Sequence, residues 1–136
     1  MEITVSQQKG KSPVTVIQPH GDVDASNYTE LINKVRELFN GGTRDFIIDL
    51  SDVPFMSSAG LVALHSIAIL LRGETPVDPQ SGWAALKAMD RSRDLGMQPH
   101  VKLLGPQQYV AETFDKAGFT QFFEIFKDLN TAVNSF

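Results

Sequence analysis

The 136-residue sequence contains no cysteine, which excludes disulfide bonds and thiolate metal sites. This absence suits a reducing compartment, so we expect a cytoplasmic protein. Residues 1–11 have neither the basic start nor the apolar centre of a signal peptide. The longest apolar run, residues 59–71, contains His65 and Ser66 and is shorter than the ~20 residues of a membrane span. We therefore expect no membrane association.

Positive charge is also scarce, with 12 Lys and Arg against 16 Asp and Glu and a net charge of −4. Binding to a nucleic acid backbone needs a clustered basic face, so we expect no direct nucleic acid partner. The hydrophobic fraction of 42% and charged fraction of 21% are those of an ordinary globular protein. The length and composition predict a single domain over residues 1–136.

Patterns that carry enzyme chemistry are missing as well. Residues 56–60 read Met-Ser-Ser-Ala-Gly and not the Gly-x-Ser-x-Gly elbow of a serine hydrolase. His65 lies about two helical turns, ~10 Å, beyond Ser58, which is too far for proton transfer. The three histidines, at positions 20, 65 and 100, have no metal-ligand spacing, and no Gly-rich phosphate loop is present. We expect neither an enzyme nor a metal or other cofactor, although a nucleotide site stays open as an alternative.

The most informative stretch is residues 45–61, where a buried strand runs into a helix. Residues 46–48 and Leu50 are apolar without alternation, as in a strand that is covered on both faces. Pro54 ends the strand, and the apolar spacing from Gly60 onwards is helical. Either Ser57 or Ser58 is therefore the predicted N-cap. The positive end of the helix dipole would favour a phosphate there, so a plain cap and a regulatory hydroxyl are both open.

The elements on either side follow from similar patterns. Residues 3–7 and 14–17 alternate and predict an antiparallel hairpin. A helix over residues 28–39 is predicted to begin at a capping box of Asn27 and Glu30 and to close at Gly41 and Gly42. Asp22 and Asp24 precede it, either as acids that cap this helix or as a functional pair.

The second half predicts a strand over residues 101–104, a helix from 105–106 to Gly118, a strand over 121–126 and a final helix capped by Asp128. Between the halves, residues 73–99 form a predicted insertion with an amphipathic helix over 83–95. Its Trp83 either fastens the insertion to the domain or binds a partner. The predicted fold class is an α/β sandwich, whose mixed sheet is mostly parallel with one antiparallel edge strand.

Two segments carry a family resemblance. Residues 49–61, Asp-Leu-Ser-Asp-Val-Pro-Phe-Met-Ser-Ser-Ala-Gly-Leu, resemble the signature of STAS domains, the bacterial anti-sigma factor antagonists or anti-anti-sigma factors. Residues 21–24, Gly-Asp-Val-Asp, are similar to the Gly-Glu-Leu-Asp turn of that family. The resemblance extends from the first strand to about residue 72 and from about residue 101 to the C-terminus. One departure is that many members carry Asp at the position of Ser57. The resemblance implies the same sandwich architecture.

The resemblance also implies a function. The hydroxyl of Ser58 would be phosphorylated by an anti-sigma factor serine kinase, and a metal-dependent serine phosphatase would reverse this. Unphosphorylated, the protein would hold the kinase and free a sigma factor, thereby regulating transcription, as a monomer or a homodimer. The implied partner contacts are Phe55, Met56, Ser57, Gly60, Asp22 and Asp24. The alternative is a constitutive STAS-type interaction module, or a small-ligand (nucleotide) binding module, in which Ser58 is only a cap.

Overall fold

The computed structural model describes residues 1–73 and 98–136, so the predicted helix at Trp83 lies outside the described residues. Within the described part, five strands form one sheet in the order β1 to β5. The strands are β1 (Glu2–Lys9), β2 (Pro13–His20), β3 (Phe46–Asp49), β4 (Val101–Leu104) and β5 (Ile125–Phe126). The helices are α1 (Tyr28–Asn40), α2 (Ser58–Leu71), α3 (Gln108–Ala117) and α4 (Leu129–Asn134).

Strand β3 is the middle strand of the sheet. It pairs in parallel with β2 and β4, and β5 adds in parallel beyond β4. Strands β1 and β2 form the predicted antiparallel hairpin at the edge. Ile48 lies between Ile17 and Leu103, and all three side chains are fully buried. The mixed sheet and the central position of β3 are confirmed.

The two faces of the sheet are covered unequally. Side chains from α1, α2 and α3, such as Leu31, Leu64 and Phe114, share the larger core with Ile48. The opposite face carries a smaller cluster, in which α4 covers the sheet with Ala132 and Val133. Of the helices in residues 1–73 and 98–136, none has both the length and the apolar character needed to cross a membrane.

A buried lysine links α4 to the sheet. Lys102 is 4% exposed on β4, and its Nζ donates to the carbonyl oxygen and the hydroxyl of Ser135, at 3.1 and 2.9 Å. The same ammonium lies 3.3 Å from Oε1 of Glu124 and 4.6 Å from the ring centre of Phe136. Because a buried ammonium is costly without partners, these contacts hold the end of the chain against β4.

The structure corrects two boundaries of the predicted elements. Only Ile125–Phe126 of the expected strand over 121–126 is a strand, because Phe119–Gln121 forms a 3₁₀ helix that turns Phe122 and Phe123 into the core. Helix α3 begins at Gln108 and not at 105–106, because Gly105 has a left-handed φ of 59°. Its predicted end at Gly118, with φ 76°, is confirmed.

The predicted capping box before α1 is wrong. Asn27 is the N-cap residue, but its side chain bonds to the preceding turn: Oδ1 accepts from the N–H of Asp24, and Nδ2 donates to the carbonyl of Asp22. The carboxylate of Glu30 contacts the N-terminal amino group instead. The predicted Asp128 cap is confirmed, since its side chain accepts from the N–H of Thr131 at 2.9 Å.

Candidate functional site

The site lies where the chain leaves β3 and enters α2. Leu50 and Val53 are fully buried and Met56 is 2% exposed, so the connecting segment, residues 50–57, is anchored in the core by three side chains. Oδ1 of Asp49 accepts from the N–H of Ser51 at 3.0 Å and fixes the first turn of the segment. The carboxyl edge of a parallel sheet is the usual place for binding sites, and this segment lies on it.

The turn that carries Asp22 and Asp24 lies directly against this segment. The N–H of Val23 donates to the carbonyl of Phe55 at 3.0 Å, and the carbonyl of Val23 accepts from the N–H of Ser57 at 2.9 Å. Val23 and Met56 form an isolated parallel bridge. The structure thus brings together the two segments that the sequence singled out.

The two adjacent serines have different environments. Ser57 is the N-cap residue of α2, with extended backbone angles, but its hydroxyl makes no capping bond. Its Oγ is buried and has no hydrogen-bond partner in the described structure. Ser58 is the first residue of α2, and its side chain is exposed. Of the two hydroxyls, the one on Ser58 is accessible to a partner.

The start of α2 has a positive electrostatic potential that favours an anion. The N–H groups of the first helical turn have no acceptor within their own helix, and they carry the positive end of the dipole. The first turn of α2 contains no acidic residue that would neutralise this end. A negatively charged group attached at Ser58 would therefore meet a favourable field.

Gly60 and Met56 support the site from inside the protein. A Cβ atom at Gly60 would lie 2.3 Å from Cγ of Met56 and 3.2 Å from Cγ1 of Val23. A side chain at position 60 would force Met56 to move and would press on Val23, so the glycine lets α2 pack closely against both residues. Since both Gly60 and Met56 are buried, they offer a partner very little surface.

The two acids of the turn are not equivalent. Asp22 is exposed, whereas Asp24 is partly covered. The Asp24 carboxylate accepts hydrogen bonds from the hydroxyl and the N–H of Ser26, and these bonds hold its pKa below the usual range. Asp24 therefore shapes the turn before α1 in addition to carrying a negative charge at the site.

Sequence reasoning missed a contribution from α3. Tyr109, in the first turn of α3, contacts Phe55 with ring centres 5.7 Å apart. Nε2 of Gln107 donates to the carbonyl of Ser51 at 3.1 Å, which ties the start of α3 to the same segment. The available signal was topological: β4 is parallel to β3, so the residues that follow β4 reach the same edge of the sheet.

Comparison with known proteins identifies the family. The sequence profile of the STAS domain matches residues 6–74, half of the chain, including the Asp22–Asp24 turn and the start of α2. The chain belongs to the STAS domain family. No curated protein matches the sequence at a significant level.

Solved structures agree with the STAS assignment. A Thermotoga maritima protein assigned as an anti-sigma factor antagonist matches with a TM-score of 0.67 and 15% identity, over 94% of this chain and 90% of that chain. An anti-sigma factor antagonist from Mycobacterium paratuberculosis gives 0.65 and 16%, over 98% and 93%. The Bacillus cell fate determinant SpoIIAA in its phosphorylated form gives 0.54 and 15%, over 96% and 97%. At these identities the matches establish the fold, and the predicted STAS-like architecture is confirmed.

Proposed function

We propose that this STAS domain is an anti-sigma factor antagonist that binds an anti-sigma factor serine kinase and loses this affinity when Ser58 is phosphorylated. Binding would free a sigma factor and so regulate transcription. The observation that carries the proposal is the contrast between the two serines: Ser58 is exposed at the first position of α2, whereas Oγ of Ser57 is buried. A kinase that reaches this corner meets the hydroxyl of Ser58.

The fold should tolerate the modification. A phosphoserine adds about −1.5 to −2 charges at neutral pH and three acceptor oxygens. At Ser58 these oxygens would lie at the positive end of α2, where N–H groups without helical acceptors are available. Because Ser58 is exposed, no core side chain has to move. The switch would therefore act through charge and not through unfolding.

Loss of binding follows from the surroundings of the phosphate. The backbone of Ser57 is hydrogen-bonded to Val23, which lies between Asp22 and Asp24, so the phosphate would join two carboxylates. A kinase also brings the phosphates of its own nucleotide to the hydroxyl that it modifies. A second dianion in this place would be repelled, and it would have to lose its hydration when the surfaces close.

Intact-mass measurement after incubation with ATP and a candidate kinase tests the proposal. The genes adjacent to this one should be searched for a histidine-kinase-like ATPase as the candidate kinase and for a metal-dependent serine phosphatase, which should remove the phosphate. We expect one phosphate on the wild type and on Ser57→Ala, and none on Ser58→Ala. Ser6→Ala, which removes an exposed hydroxyl from β1, is the matched control and should behave as wild type. A phosphate found on Ser57 alone would contradict the assignment.

A further inference from the structure

Exposed aromatic surface is concentrated beside Ser58. In residues 1–73 and 98–136, three large hydrophobic side chains are exposed: Val5, Phe55 and Tyr109, at 37, 38 and 55%. Two of these three, Phe55 and Tyr109, are in contact with each other. Folding alone does not explain a solvent-exposed aromatic pair, because apolar surface of this kind is more stable when a partner covers it.

Phe55 and Tyr109 both lie on segments that are held in place by burial or hydrogen bonds. Phe55 is flanked in the sequence by the buried residues Val53 and Met56, and its carbonyl accepts a hydrogen bond from the N–H of Val23. Tyr109 lies on α3, whose start is held by the hydrogen bond from Gln107 to Ser51. Rings that are already held in place lose little conformational freedom when a partner binds, which favours tight association.

The charges around the pair indicate what kind of partner fits. The segments that form this edge, residues 20–27, 49–58 and 105–109, contain four aspartates and no lysine or arginine. The aspartates are Asp22, Asp24, Asp49 and Asp52. A second copy of this chain would place the same acidic edge against its own, which is unfavourable. A partner with lysines and arginines around its binding pocket is complementary to this edge.

We propose that Phe55 and Tyr109 form an aromatic anchor that enters an apolar pocket on a partner protein, and that basic residues around this pocket face the four aspartates. This deepens the proposed function and rests on it in one respect: the partner is the protein whose binding Ser58 controls. The docking surface then extends from the start of α2 to the first turn of α3. Tyrosine is among the residues that most often dominate binding at such positions.

Site-specific cross-linking followed by affinity measurement tests the anchor. A benzoylphenylalanine placed at position 109 in the source cells should capture one protein, and the same probe at position 5, the other exposed apolar position, should not. The captured protein, once purified, should bind Tyr109→Ala at least tenfold more weakly than wild type. Val5→Ala should stay within twofold and Tyr109→Phe within threefold. Affinity should fall as salt rises, and Asp22→Asn should make this dependence shallower.

The outcomes separate the anchor from the phosphorylation switch. Equal losses for Tyr109→Ala and Val5→Ala, capture of a second copy of this chain, or an affinity that does not respond to salt would each overturn the anchor. If a purified kinase phosphorylates Ser58 and binds the wild type and Tyr109→Ala equally, the anchor alone fails. If the protein captured at position 109 binds Ser58→Ala and Ser58→Asp equally, the switch fails while the anchor stands.

Discussion

Nδ1 of His20 lies 2.5 Å from Oδ2 of Asp52, and this contact joins the strand that leads into the Asp22–Asp24 turn to the segment that leads into α2. On its other side, Nε2 of His20 lies 2.7 Å from the hydroxyl of Thr4 on β1. The N–H of Gly21 adds a bond of 2.9 Å to the carbonyl of Asp52. The imidazole ring therefore connects three separate segments at the carboxyl edge of the sheet.

The first prediction concerns this connection. His20→Ala should lower the free energy of unfolding by only about 0–1 kcal/mol, because the pair is partly exposed and solvent screens it. The amide of Gly21 should nevertheless exchange faster with deuterium, since the contact beside its hydrogen bond is lost. Thr4→Val, which keeps the His20–Asp52 contact, is the control and should leave this exchange unchanged. Unaltered exchange in His20→Ala would show that the backbone bond holds the loops without the ring.

The second prediction concerns Ser58. Ser58→Ala should bind the kinase and resist release in the presence of ATP, whereas Ser58→Asp should bind weakly. Both variants should unfold within about 1 kcal/mol of the wild type, because the side chain is exposed and an acid at a helix start is favourable. Calorimetric titration with the purified kinase and chemical denaturation provide the two readouts. Equal affinities for the two variants would refute control through charge at this position.

The third prediction concerns the central strand. Ile48→Asp should abolish folding, because an unpaired carboxylate between Ile17 and Leu103 costs several kcal/mol against a total stability of roughly 5–15 kcal/mol. Val5→Asp makes the same chemical change on an exposed position of β1 and should leave a cooperative transition in circular dichroism. A cooperatively melting Ile48→Asp protein would be incompatible with the observed burial.

The fourth prediction concerns acid. His65 is 6% exposed on α2, and burial, assisted by the positive charge of Arg72, lowers its pKa to about 4. Between pH ~6.5 and ~4, His65 is therefore protonated in the unfolded chain, whose histidine pKa is about 6.5, and neutral in the folded protein. Stability from this group is complete above pH ~6.5 and decreases by up to about 1.4 kcal/mol per pH unit towards pH ~4.

Replacing His65 isolates this effect. In His65→Gln the free energy of unfolding, measured by urea denaturation at several pH values, should depend less steeply on pH between 6.5 and 4 than in the wild type. The two proteins should follow parallel curves above pH 7, where the histidine is neutral in both folded and unfolded states. Curves that stay parallel down to pH 4 would show that His65 takes up its proton in the folded protein as well.

Some elements of the fold could be predicted from the sequence because their apolar patterns are compatible with only one kind of secondary structure. The unbroken apolar run around Ile48 fits a strand covered on both faces, and β3 is such a strand. The apolar spacing after Gly60 fits a helix, and Ser57 does precede α2. The helix over residues 83–95 stays a prediction. The expected partner contacts and the modification of Ser58 also stay predictions.

Other parts depended on contacts between distant residues. Nothing local separates Phe122 and Phe123 from strand residues, and it is their packing with Phe119 that makes this segment a compact turn. The role of Ser57 was equally hidden, since its hydroxyl is turned inward and caps nothing. Tyr109 reaches Phe55 only because two parallel strands end side by side. Contacts between residues that are far apart in the chain cannot be predicted from the local pattern of a single sequence.

The buried ammonium of Lys102 holds α4 against a sheet whose other face is covered by the larger core. Helix α4 has six residues, too few to persist on its own, so its order depends on its contacts with the sheet and with Lys102. Partial opening should begin there and leave the layer of α1, α2 and α3 intact. Such an opening would expose Val14, Val16 and Ile47, which form an apolar, aggregation-prone surface on the sheet. Aggregation of this protein would then start from this face of the sheet, which is opposite the layer of α1, α2 and α3.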